Sequence, residues 1–225
     1  EVLQYKWYDE RYVPYENAHF IVTKDIDMTN VEWSGIGTDV YYFNGTFDGG
    51  YHTISNLNKG NTFDGLPDWE SLFGILGEDA VVKNVYLENA SVHVEDTDFI
   101  YTGIIARENY GTISRCMIYD SFVHQSVGTK SYVGGIVGKN HSGASVEVCG
   151  ILNTKYTSAA GIPTTTPLAG MVGINDGDMF ACYTYNATVS GGTDYNHGVT
   201  TGGSGKVRYC YHDVVFGSYD GNVET

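Results

Sequence analysis

An all-β chain wound as a right-handed parallel β-helix (a solenoid) of about seven coils is the fold this sequence predicts. Three observations carry the prediction. A short pattern recurs roughly every thirty residues. An Asn or Asp stands at one fixed place in nearly every repeat. Apolar residues alternate on both sides of that place.

The recurring pattern is an apolar residue three positions before a cysteine, as in Ile113–Cys116, Val146–Cys149, Met179–Cys182 and Val207–Cys210. Val82–Val85 and Ile54–Leu57 keep the spacing without the cysteine. The anchors Leu57, Val85, Cys116, Cys149, Cys182 and Cys210 step by 28, 31, 33, 33 and 28 residues, and one further step of 31 back reaches Ile26. These seven positions are expected to form one inward core column. Four residues past the anchors stand Asn30, Asn61, Asn89, Asp120, Asn153 and Asn186, with Val214 departing in the last repeat. Asn and Asp tolerate the left-handed backbone better than other non-glycine residues, so the column reads as one corner turned alike on every coil. Stacked Asn side chains also hydrogen-bond along such a column.

Around the corner, Val85/Leu87, Cys116/Ile118 and Cys149/Ile151 alternate before it, and Ala90/Val92, Ser121/Val123 and Ala187/Val189 after it. A period of two on each side of a turn means two short strands rather than a helix. The repeat fills about 20–217, so the 225 residues are expected to form a single domain, 1–225, with 218–225 as a tail.

Taken in order, residues 1–20 differ from the rest. Tyr5, Trp7, Tyr8, Tyr12 and Tyr15 crowd around Pro14 without any repeat. An open solenoid end exposes a sheet edge, so this aromatic segment reads as an N-terminal cap, with a ligand-stacking platform and a linker remnant as alternatives. Phe20–Met28 is the first strand-like run, and its Asp25 and Asp27 share a face. Residues 58–70 form a loop outside the alternation. Later coils open on Ser71–Gly74, Tyr101–Ala106, Val133–Gly138 and Leu168–Gly173, and their glycines 74, 103, 135 and 170 read as a further column. Residues 191–205 are irregular and glycine-rich.

Charge narrows the function classes. Twelve basic against 27 acidic residues give a formal net charge of −15, which argues against nucleic acid and against anionic membrane surfaces. No run of apolar residues is long enough to span a membrane. The four cysteines share one phase. Side chains aligned that way point in the same direction, which favours free thiols over disulfides. Their spacing is not that of a zinc site. The GxxG spacings lack a strand-to-helix context, HExxH and GxSxG are missing, and the seven histidines are scattered. No cofactor, metal or catalytic residue is therefore expected. His212, two past an anchor, reads as a core or end-layer residue. Asp25, Asp27, Asp48, Asp64 and Asp68 are the candidate contributors to a carboxylate site on the outer face. Asn44, Asn89, Asn140 and Asn186 begin glycosylation-type sequons; Asn89 and Asn186 belong to the corner column, so chance and structure explain them. Asn175–Asp178 reads as a plain turn rather than a calcium loop.

The positions one and three past each anchor point outward. They place Tyr86, Tyr119, Tyr183, Tyr185 and Tyr211 on one ridge, with Met117 and Leu152 among them. Tyrosine suits sugar or protein contact, so these five are the candidate binding residues. Aromatic ladders also stabilise sheets by stacking, and side loops at 121–131 or 154–167 offer cover.

The glycine-punctuated stretches Val133–Gly138 and Ala169–Gly173 resemble the GLUG-motif proteins, bacterial secreted or surface chains. The run from Lys24–Met28 through Trp33–Gly37 and Gly45–Gly49 to Ile54–Leu57 is similar to the one that commonly precedes those repeats. The resemblance covers roughly 20–190. It implies a parallel β-helix of the kind attached to adhesins, haemagglutinin-like proteins and some immunoglobulin-cleaving metalloproteases. The expectation is a cell-surface or secreted adhesion module that binds a glycan or a host or partner protein. A carbohydrate-active β-helix enzyme and a rigid spacer of a larger surface protein are the alternatives.

Overall fold

The computed structural model describes residues 17–31, 33, 35–58, 71–94, 101–125, 132–158, 168, 170–190 and 198–213. Among the described residues the protein is an all-β parallel β-solenoid with essentially no helix. Sheet I stacks His19–Ile21, Thr46–Asp48, Val81–Lys83, Thr112–Ser114, Ser145–Glu147, Asp178–Phe180 and Lys206–Arg208 in chain order. Sheet II stacks Ile26–Asp27, Thr53–Ser55, Tyr86–Glu88, Met117–Tyr119, Gly150–Leu152, Tyr183–Tyr185 and Tyr211–His212. Sheet III holds Ser91–Val94, Phe122–Gln125, Lys155–Ser158 and Thr188–Ser190. Sheet IV holds Phe73–Leu76, Ala106–Asn109, Val137–Asn140, Val172–Asn175 and Thr200–Gly202.

Period-two alternation makes these strands, because every second side chain enters the tube. Phe47, Val82, Ile113, Val146, Met179 and Val207 line it from sheet I, and Ile54, Leu87, Ile118, Ile151 and Thr184 from sheet II. Near the first coils the filling is aromatic, with Phe43 and Phe47 each within 5.4 Å of Phe73 between ring centroids. Further on it is aliphatic and thiol.

The cysteine column exists. Cys116, Cys149 and Cys182 are buried, Cys210 is half-buried, and all four are free thiols. Each donates to the carbonyl two residues before it, at 3.3–3.5 Å. Burial, with the Cys116 neighbour, pushes the Cys149 thiol up. Val85 belongs to the column, but Leu57 and Ile26 do not. Thr53 pairs with Tyr86, so His52 stands at the height of Val85, and Leu57 falls at the height of Ala90. Ile26 pairs with Ile54, two positions further along the coil than the thiols.

The corner column is corrected in the same way. Asn89, Asp120, Asn153 and Asn186 have left-handed φ values of 47–53° between sheets II and III. At the height of Asn89 the preceding coil places Asn56 (φ 60°); Asn61 lies outside the described residues. Asn30 is also left-handed at φ 60°, but Met28 stands at the height of Asn56. The expected strand Phe20–Met28 is two strands, one in sheet I and one in sheet II, with the first corner between them. The glycines at 74, 103, 135 and 170 do not share a phase. Gly103 aligns with Gly134, Gly135 with Gly170, and Gly74 with Gly138 and Gly173.

A second left-handed corner, between sheets I and II, went unpredicted. It holds Tyr51, Asn84, Arg115, Val148, Ala181 and Tyr209 at φ 52–61°. Inside the tube, at the turn from sheet IV to sheet I, Asn109 donates to Asn140 (2.9 Å) and Asn140 to Asn175 (2.8 Å), and all three are buried. Burial removes the Asn140 sequon from the surface. Of the expected cap 1–20, residues 1–16 lie outside the described residues, as do most of the 58–70 loop and the tail, and His19–Ile21 is already a strand of sheet I rather than part of a cap. Among the described residues no helix is long and apolar enough to cross a membrane.

Candidate functional site

Sheet II places all five predicted tyrosines on its outer surface, in two adjacent rows. One row runs Thr53, Tyr86, Met117, Gly150, Tyr183, Tyr211. The other runs Ser55, Glu88, Tyr119, Leu152, Tyr185. The result is a two-lane patch rather than a single ladder. Tyr86 packs edge-on against Tyr119 at 5.9 Å, and Tyr51, from the unpredicted corner, packs on Tyr86 at 5.8 Å.

Gly150 explains the middle of the patch. A Cβ there would run into the Tyr183 ring and the Met117 thioether. Its absence lets Tyr183 lie across the gap and bring its hydroxyl to 3.6 Å from Met117 Sδ. The outer end is the more open one: Tyr185 is 55% and Tyr211 60% exposed, whereas Tyr86 and Tyr119 are half-buried. Partial burial, with Tyr86, Tyr183 and Glu88 nearby, pushes the Tyr119 hydroxyl up to about 12. It stays protonated and able to donate at any physiological pH. Val148, Phe180 and Tyr209 extend the apolar surface around the first corner, with Phe180 and Tyr209 edge-to-face at 5.5 Å.

The carboxylates singled out in the sequence are engaged locally. Asp25 accepts from the Thr53 amide at 3.0 Å and contacts His52. Asp27 accepts from Thr29 and Asn56, which hold its carboxyl down at about 2. Asp48 pairs with Lys83 at 3.4 Å. Asp64 and Asp68 lie outside the described residues. His212 is half-buried at the last strand of sheet II, paired with Thr184.

A groove of about 410 Å³ on sheet I was not anticipated. Glu147, Asp176, Asp178, Lys206, Arg208 and Phe180 line it. Arg208 reaches Asp178 at 3.4 Å, and Asp176 is tied to Ser204 at 3.0 Å. These residues come from three successive coils, so no local pattern announces them. Among the described residues no three His, Cys, Asp or Glu side chains are grouped to hold a metal ion.

No family model matches the chain. In an alignment of 165 positions that covers 59% of this chain, it is 28% identical to the "Putative Gly-rich membrane protein" of Evansella cellulosilytica. It spans about a fifth of that relative, 19% of its length. Among solved structures it is similar to the crystal structure of a putative immunoglobulin A1 protease from Bacteroides ovatus. That likeness has a TM-score of 0.46 and 19% identity, and covers 81% of this chain and 76% of the other.

Proposed function

We propose that this chain is a non-catalytic recognition module of a bacterial surface or secreted protein, and that it grips a glycan or a partner protein through the outer face of sheet II. The observation that carries the reading is the continuity of Tyr86, Tyr119, Tyr183, Tyr185 and Tyr211 with Met117 on one face. Rings with an apolar face and a polar tip suit both kinds of partner. A rigid parallel sheet holds them at fixed spacing, so little ordering entropy is lost on binding. The wider reading has the seven stacked strands of sheets I and II as seven right-handed coils of a GLUG-type β-helix, capped by the aromatic segment. A surface location fits the membrane protein that its Evansella relative is named as.

The test is a glycan and host-protein array followed by the double substitution Tyr183→Ala with Tyr185→Ala. Binding is expected to weaken by about tenfold or more, on the order of 1.4 kcal/mol, with the β-rich circular dichroism unchanged. Unchanged affinity overturns the assignment.

The groove beside Phe180 favours a second reading, a carbohydrate-active enzyme. It sets carboxylates beside Lys206 and Arg208 and next to an aromatic face. Release of reducing ends from a polysaccharide panel, abolished by Glu147→Gln with Asp178→Asn, would establish it. A rigid spacer would bind nothing in either assay.

A further inference from the structure

A second cavity lies at the corner between sheets IV and I, away from the tyrosine face. Its volume is about 390 Å³, and Asn17, Tyr42, Asn44, Glu78, Asp79 and Tyr110 line it. Phe43 bridges to Leu76, and Leu76 pairs with Asn109. Tyr42 and Tyr110 therefore sit on coils on either side of the one carrying Gly77. At the height of Tyr110 that middle coil has no side chain, and a Cβ on Gly77 would run into Asn44 Oδ1. The two rings lean over the gap to 5.9 Å between centroids, 17° from parallel. Full face contact is much closer: Tyr110 and His141 show it at 3.7 Å and 11°. Ring surface of both tyrosines is therefore left to the cavity they line.

We infer that this corner is a clamp for an alkylammonium group, with Tyr42 and Tyr110 presenting their π faces and Glu78 and Asp79 supplying the countercharge. A cation within about 6 Å of an aromatic centroid is attracted by the ring quadrupole, and two rings 5.9 Å apart put one cation in reach of both. The charge argues for a cation over a neutral ligand or an anion. Both ionised side chains in the lining are carboxylates and none is basic. The whole chain carries −15. The sheet I groove, in contrast, mixes Lys206 and Arg208 with its acids.

The clamp is pre-organised from behind. His141 is stacked on Tyr110, and its Nε2 lies 2.8 Å from Glu108 Oε2. Arg107 Nη2 donates to Glu108 Oε1 at 2.9 Å and to Asp39 Oδ1 at 2.6 Å, so the nearby guanidinium is committed elsewhere. Burial works to raise the Glu108 carboxyl, but the His141 contact and the Arg107 charge overcome it and hold the carboxyl below its usual value.

The clamp does not depend on the tyrosine face, and its test separates the two. The whole chain is titrated by NMR with choline, with Nα-acetyl-lysine methylamide and with 3,3-dimethylbutan-1-ol, the uncharged carbon isostere of choline. Saturable shifts of the Tyr42 and Tyr110 ring resonances and of the Gly77 amide are expected with the cations and not with the isostere. The tighter of the two cations names the source, a quaternary headgroup or a lysine side chain. Tyr42→Ala should abolish the shifts, and Glu78→Gln with Asp79→Asn should weaken binding at least tenfold. All three positions are exposed, so the fold is expected to persist. Tyr183→Ala with Tyr185→Ala should leave the titration unchanged. An equal response to the isostere, no saturable shift with either cation, or affinity unchanged by the clamp substitutions would overturn the inference.

Discussion

The corner from sheet I to sheet II and the corner from sheet II to sheet III bend the backbone alike, yet they are populated by different chemistry. The second corner is written in Asn and Asp, and its side chains bond along the stack. Asn89 donates to Asn56 at 2.6 Å, Asn153 to Asp120 at 2.9 Å and Asn186 to Asn153 at 2.8 Å. Asn56 continues to Asp27 and Thr29. Apart from Asn84, which bonds to Asp48 and Arg115, the first corner asks the same left-handed φ of Tyr51, Arg115, Val148, Ala181 and Tyr209. Such a conformation costs an L-residue about 1–2 kcal/mol, and a β-branched residue fits it worst. Coil stacking therefore imposes the turn, and the residue only sets its cost. What the first corner gains is display: Tyr51 packs on Tyr86, and Tyr209 on Phe180, beside the proposed binding face. Strain concentrated next to a candidate site is a familiar arrangement.

The contrast can be tested by exchanging chemistry between the corners. The largest effect is expected for Asn153→Val, which puts a β-branched residue in the left-handed well and removes two ladder bonds. A loss of about 2–3 kcal/mol in urea unfolding follows, and a loss below 1 would show that the ladder is ornamental. The converse change, Val148→Asn at an exposed position of the first corner, should stabilise by about 1 kcal/mol and raise the thermal midpoint. If it does not, the first corner is relieved in some other way. Asp120→Asn is smaller. Asp120 has no amide hydrogen to give Asn89, so the ladder is interrupted there, and an amide should add about 0.5–1 kcal/mol by closing it.

The smallest effect concerns pH. Asp27, held at about 2 by Thr29 and Asn56, is depressed below its ordinary value of 3.8. Its stabilising contribution is full above that ordinary value and fades as pH falls through the folded one. The stability difference between the wild type and Asp27→Ala should therefore be steady from pH 7 to 5 and shrink toward pH 2. A difference independent of pH would mean that the carboxylate charge is not what Asn56 and Thr29 recognise.

The likeness of the two corners also explains what was legible in the sequence. Period-two alternation beside a thirty-residue repeat was enough for the solenoid, the thiol column and the outward phase of the five tyrosines. It was not enough to phase the first coils. Ile54-Ser55-Asn56-Leu57 reads as well against Val82-Lys83-Asn84-Val85 as against Leu87-Glu88-Asn89-Ala90, because on that one coil the first corner also carries an Asn, Asn84, between a polar and an apolar residue. Two extra residues around Tyr51 tipped the choice the wrong way. The groove and the clamp escaped for a different reason. Tyr42 and Tyr110 meet over Gly77, which leaves a gap at their height on the coil between them, and Glu147, Asp178 and Arg208 meet across three coils. Such neighbours become visible only once the exact register is known.

The three carboxamides inside the tube have one more consequence. Each of Asn109, Asn140 and Asn175 finds its partner only if consecutive turns of the chain are seated one above another, since a slip by a single residue would swing an amide outward and leave its neighbour stranded in hydrocarbon. They behave as indexing pins. Between pins the chain runs 31 residues in one turn and 35 in the next without losing its seat. Side excursions can therefore lengthen, shorten or change composition while the frame that carries them stays in step.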